Sequence, residues 1–151
     1  MAVTFKAPVK DIVFGYEVID SYSILSKISA FSDFSEDIVI PTMEECAKFA
    51  EEVLAPINSV GDQNGATIKD GTVTMPEGFV KAYKSFRESG WASISLPSEI
   101  GGGGMPITLS GGTLEILSTA NLAFGLAPGL SAGAISAINF HGNDEQKEKF
   151  L

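Results

Sequence analysis

PTMEECAKFAEEVLAPI, residues 41–57, is the stretch whose periodicity decides the fold class. Met43, Cys46, Ala47, Ala50, Val53 and Leu54 recur at steps of three and four, and Glu44, Glu45, Lys48, Glu51 and Glu52 fill the remaining positions. That spacing puts one apolar stripe and one charged face on a helix. Glu44 stands four residues before Lys48, the favourable order for an ion pair worth about 0.2–0.5 kcal/mol. Pro41 has no N–H to donate, so it belongs in a first turn or at a kink, with Asp33 and Ser35 as candidate caps upstream. Pro56 is expected to end the helix.

Working toward the N-terminus, Pro8, the Lys10–Asp11 charge pair and Ile12-Val13-Phe14 suggest an extended arm over residues 1–15 that lays its apolar side chains on a surface. In YEVIDSYSILSKI, the positions Val18, Ile19, Tyr22 and Leu25 predict one face of a first helix. Toward the C-terminus, NSVGDQNGATIKDGTVTM (58–75) changes character: alternation around Asp70-Gly71 predicts a tight hairpin, too short-armed to be a sheet domain. PEGFVKAYKSFRESGW then places Phe79, Val80, Tyr83, Phe86 and Arg87 at helical spacing, with Gly90 as the stop. Four consecutive glycines, 101–104, need a reason: a very tight path, close approach of a ligand or another chain, or flexibility. They match no phosphate-cradling motif. Pro106 restarts the chain. Leu109, Leu114, Ile116, Leu117 and Ala120 form a further apolar face, weakened by Gly111 and Gly112. GLAPGLSAGAISAINFHG (125–142) has almost no charge, which predicts a helix buried on most sides or facing a ligand or partner domain. Asn143 and Gln146 fit a capping box, and NDEQKEKFL reads as a helix still running at Leu151.

The expectation is therefore an all-α, bundle-like domain with an extended N-terminal arm and a small β-hairpin excursion. Residues 1–33 form the arm and first helix, and 34–151 the helical body. A chain of 151 residues fits one domain. With 19 acidic against 10 basic residues and a net charge of -9, it lacks the basic surface that nucleic acid or an anionic membrane would require. Cys46 is the single cysteine, so an intrachain disulfide is excluded and a reduced compartment is expected. No signal-peptide h-region and no uninterrupted apolar run near ~18 residues stand out, which reads as a cytoplasmic protein without a membrane span.

Catalytic groups are sparse. Cys46 has no nearby His and reads as a small buried hydrophobe. His141, the only histidine, suits a helix C-terminus. Nothing fixes a separation between Glu99 and Glu115, so they read as a loop and an exposed helix position, not as an acid–base pair. Phe79, Tyr83 and Phe86 read as core, and the acidic patches 44–52 and 144–148 as solvated faces. The region that stands apart is the glycine-rich loop followed by the small-residue helix from Gly125 to Ala137.

Those stretches resemble the acyl-CoA dehydrogenase family. Leu96-Pro97-Ser98-Glu99-Ile100-Gly101-Gly102-Gly103-Gly104-Met105-Pro106 is similar to a loop of that family, and His141-Gly142-Asn143-Asp144-Glu145-Gln146-Lys147 to the start of one of its helices. Ala7-Pro8 with Asp11 and Phe14, the segment Phe49 to Pro56, Gly61-Asp62, Asp70-Gly71 and Gly90-Trp91 resemble the large subgroup with an N-terminal extension that includes 3-(methylthio)propanoyl-CoA dehydrogenase. The resemblance implies a piece of an FAD enzyme that removes hydrogens from the alpha and beta carbons of an acyl-CoA. The base and most of the flavin site would lie in middle and C-terminal domains, no FAD would bind this chain alone, and the chain by itself would be inactive. It further implies an electron-transfer acceptor, a homo-oligomer at full length, and an acyl-pocket wall from residues 122–137, with Leu126, Gly129, Leu130 and Gly133 as substrate-binding candidates. Two rivals remain: a helical interaction or scaffold domain, and a non-redox acyl- or lipid-binding module.

Overall fold

A computed structural model describes residues 5–151. Its architecture is helical with one hairpin: α1 (Val9–Val18), α2 (Ser21–Leu25), α3 (Glu36–Phe49), a π-turn (Ala50–Leu54), α4 (Ala55–Asn64), strands β1 (Thr67–Lys69) and β2 (Thr72–Thr74), α5 (Phe79–Glu88), α6 (Ile107–Ala120), α7 (Leu122–His141) and α8 (Asp144–Phe150). The antiparallel strands pair Thr67 with Thr74, Ile68 with Val73 and Lys69 with Thr72. Asp70 and Gly71, both at positive φ, make the turn between them as the alternation predicts.

The core is the packing of α3 and the π-turn on α6. Val39, Met43, Cys46, Ala50 and Leu54 meet Leu109, Ile116 and Leu117, all buried. The axes come close because α6 carries Gly112 at the crossing, where a Cβ would sit 2.5 Å from Met43 Cε and 2.8 Å from Tyr16 Oη. Tyr16 Oη donates to the Thr108 carbonyl at 2.6 Å, joining α1 to α6. The predicted weakness at Gly112 is thus a contact point. Phe79 and Phe86 of α5 close one end in an aromatic cluster with Phe124, while Tyr83 on the same helix stays half exposed.

Several expectations need correction. The arm is helical from Val9 onward, and its residues 1–4 lie outside the described residues. The first helix breaks at Asp20, whose φ of 52° is left-handed, so Val18 and Ile19 are exposed and the predicted four-residue face does not form. Glu36, not Pro41, begins α3, and Pro41 lies within it. Pro56 does not stop the helix. The π-turn shifts the hydrogen bonding by one residue (Ala55 N–H donates to Ala50 O), and Pro56 then falls in the first turn of α4, where no amide is needed. Glu44 and Lys48 form no ion pair. Among the described residues the pairs are Lys6–Glu51 and the exposed Lys84–Glu88.

Candidate functional site

Helices α6 and α7 follow one another with a single residue between them. Asn121 separates them: buried at the corner, it accepts from Phe124 N–H at 3.0 Å as the N-cap of α7 and donates from Nδ2 to Leu54 O at 3.2 Å. One side chain therefore fixes where α7 starts and ties it to the π-turn. An Asn just ahead of a new apolar periodicity was the available signal. At its far end α7 stops at Gly142, and α8 begins with the predicted capping box, Gln146 N–H to Asn143 Oδ1 and Asn143 N–H to Gln146 Oε1.

Between α6, the Trp91–Leu96 segment and α7 runs an open groove of about 300 Å³. Phe86, Trp91, Leu96 and Leu117 line one side, and Gly129, Ala132 and Gly133 the other. Nothing lies within 4 Å of a Cβ at Gly129 or Gly133, so these positions are open space. The structure brings Gly129 and Gly133 onto the groove. Leu126 and Leu130 lie outside its lining, 62% and 79% exposed. Along the 20 residues of α7, Phe124 is the buried one. The helix is not buried on most sides within this chain, which leaves the other expectation, a face for a ligand or partner. By length and composition α7 is also long and apolar enough to cross a membrane, although no uninterrupted apolar run announced it.

The glycine loop beside the groove follows a tight path. A Cβ on Gly102 would overlap the Leu96 carbonyl, and one on Gly103 would sit 2.7 Å from Ile94 O. The amides of Gly101, Gly102, Gly103 and Gly104 donate to Ser98 O, Pro97 O, Ser93 O and Leu96 O. All four donors are engaged within the loop. None is left to take a flavin pyrophosphate, so this loop does not fit as an FAD cradle.

Other candidates fall where their chemistry suggested. Cys46 is buried, its Sγ 3.6 Å from Thr113 O, and burial pushes its thiol up to about 12. His141 is the exposed last residue of α7, and Glu99 and Glu115 are exposed. No group of metal-binding side chains occurs among the described residues. Glu51 departs from the solvated acidic face: it is partly covered and receives Lys6 and the Ala7 amide.

A family profile described as "Acyl-CoA dehydrogenase, N-terminal domain" matches residues 41–151. The chain is 37% identical to 3-methylmercaptopropionyl-CoA dehydrogenase of Ruegeria pomeroyi over 149 residues, 99% of this chain and 25% of that enzyme. It is 29% identical to butyryl-CoA dehydrogenase of Syntrophomonas wolfei, over 94% of this chain and 24% of that one. To the mitochondrial very long-chain specific acyl-CoA dehydrogenase of Macaca fascicularis it is 28% identical, over 72% of this chain and 16% of that one. The chain thus spans about a quarter or less of the length of these curated relatives. With a matching profile over its helical body and a relative aligned almost end to end, this chain belongs to the acyl-CoA dehydrogenase family and carries that family's N-terminal domain.

Proposed function

We propose that this chain is the N-terminal helical part of an FAD-dependent acyl-CoA dehydrogenase and that the α6–α7 groove walls its acyl pocket. The observation that carries the reading is α7: a nearly uncharged 20-residue helix, anchored by Asn121 at its start, with Phe124 its one buried residue. Apolar surface of that extent has a strong tendency to be removed from water. Here it adjoins a groove whose near wall is two bare glycines, and small side chains leave room for an apolar acyl chain. Leu126 and Leu130 are exposed on α7 beside the groove's lining, and in this proposal they extend the acyl wall toward the middle and C-terminal domains of the same enzyme. FAD, which when bound takes up the hydride, is held in this proposal by those other domains. The chain's own part is to exclude water and position the acyl chain. The wider reading includes a cytoplasmic location, an electron-transfer acceptor and a homo-oligomer. Similarity to a 3-methylmercaptopropionyl-CoA dehydrogenase makes a short thioether acyl-CoA the first substrate to try.

The test is the visible spectrum of the full-length gene product, titrated anaerobically with acyl-CoAs. A flavin band that bleaches with one of them is expected. A colourless protein, or a flavin indifferent to short and long acyl-CoAs alike, sinks the assignment. Gly133→Leu then probes the wall. It should leave flavin content unchanged and lower kcat/KM about tenfold, equivalent to ~1.4 kcal/mol. Unchanged kcat/KM would move the acyl chain elsewhere.

A further inference from the structure

Glu51 sits on the π-turn one helical turn after Ala47, a buried residue of the seam where α1 meets α3. Its two carboxylate oxygens are both engaged by the arm that precedes α1. Lys6 Nζ donates to Oε2, and the Ala7 backbone N–H donates to Oε1 at 3.0 Å. The Ala7 amide lies ahead of the first helical turn, so no ladder supplies it with an acceptor. Beside these bonds Phe5, Ala7 and Val9 pack against the core from the same arm. The side chain of Glu51 is 21% exposed and that of Lys6 is 74% exposed, so solvent reaches the cation while the anion is largely covered.

We propose that Glu51 anchors a charge-operated strap: its carboxylate clasps residues 5–8 over the α1–α3 seam, and removing the charge of either Glu51 or Lys6 lets the arm lift. The seam also presents Lys10 and Asp11 from α1, and Glu44, Lys48 and Glu52 from α3 and the π-turn. None of these pairs with Lys6 or Glu51, and their signs nearly cancel, so Lys6 is the specific partner. Lys6's ammonium, and after it the Ala7 amide, hold the Glu51 carboxyl below the usual carboxylate range. For a lowered folded value the sign is fixed. The clasp is fully present above the ordinary glutamate range and is lost as pH falls through the lowered value.

Hydrogen–deuterium exchange of the full-length protein at pH 7, read on peptides covering residues 5–12, tests the strap. Glu51→Gln keeps the shape and removes the charge. It should speed exchange of the arm about tenfold, as loss of a charge-assisted bond implies, while peptides from α6 keep their wild-type rates. Arm exchange at the wild-type rate in folded Glu51→Gln overturns the proposal. Lys6→Gln, at an exposed position, covers the case in which Glu51→Gln does not fold. It should loosen the arm about threefold through the ion pair alone, and in that case an unchanged rate overturns the proposal instead.

Discussion

Helices α6 and α7 are neighbours in sequence and in space, similar in composition, and opposite in situation. Each is poor in charge and carries glycines in its interior. In α6 six residues are buried, and Gly112 is filled from outside by Met43, Tyr16 and Ile12. In α7 one residue is buried, and Gly129 and Gly133 meet nothing. Apolar composition records everything a helix touches in its complete protein, so it does not distinguish a partner inside the domain from one beyond it. For α6 the partner is α3. For α7, in the reading proposed above, it is substrate and the rest of the enzyme.

The sharpest way to break that contrast is at Cys46, which sits on the covered side and faces Thr113 of α6. Burial lifts its thiol from 9.0 to about 12, and each unit removes a factor of ten in thiolate. Labelling of the native protein by an aromatic disulfide reagent at pH 8 should run about a thousandfold slower than in denaturant. Labelling at the denatured rate would mean that the α3–α6 contact opens freely. The raised value also carries a sign: this contribution to stability is complete below about pH 9 and is lost as pH rises toward 12. Next in size is Leu109→Ala, which empties a fully buried site of α6 and should cost about 3 kcal/mol in chemical denaturation. A loss under ~1 kcal/mol would show a core able to collapse around the vacancy.

Local rules were legible in the sequence wherever one residue type meets one backbone requirement. The hairpin at Asp70-Gly71, the stop at Gly90 and the box at Asn143 and Gln146 are all present. So is the α3 stripe, because its period follows from burying one face of the helix inside the domain. What was not legible depended on distant chain. Pro56 falls in a first turn because the π-turn shifts the register ahead of it. Val18 and Ile19 fit a helical face but lie beside a left-handed Asp20, and Glu51 left the solvated face once Lys6, 45 residues away, approached it. At the groove, the small-residue pattern marks the helix and the family resemblance singles out Gly129 and Gly133, whereas the opposing Trp91 and Leu96 came from a loop whose path only its backbone bonds reveal.

The same substitution in the two helices gives the finest discrimination. At Gly112 a new methyl group meets the end of the fully buried Met43, which must shift within the core, and the Tyr16 hydroxyl, held by Thr108. Overpacking of that kind costs about 1–3 kcal/mol, against about 1 kcal/mol gained in helix propensity, so Gly112→Ala should destabilise by roughly 1 kcal/mol. At Gly133 the methyl group enters open space, and only the propensity term remains. Gly133→Ala should therefore stabilise the isolated chain by about 0.5–1 kcal/mol in the same denaturation experiment. If both variants lose stability alike, α7 is covered in solution after all, by a second copy or by another part of the chain, and the contrast between the helices disappears. If the signs differ as expected, the face of α7 is free in this chain, and loss of the Gly133→Ala gain in the full-length gene product would locate the surface that covers it.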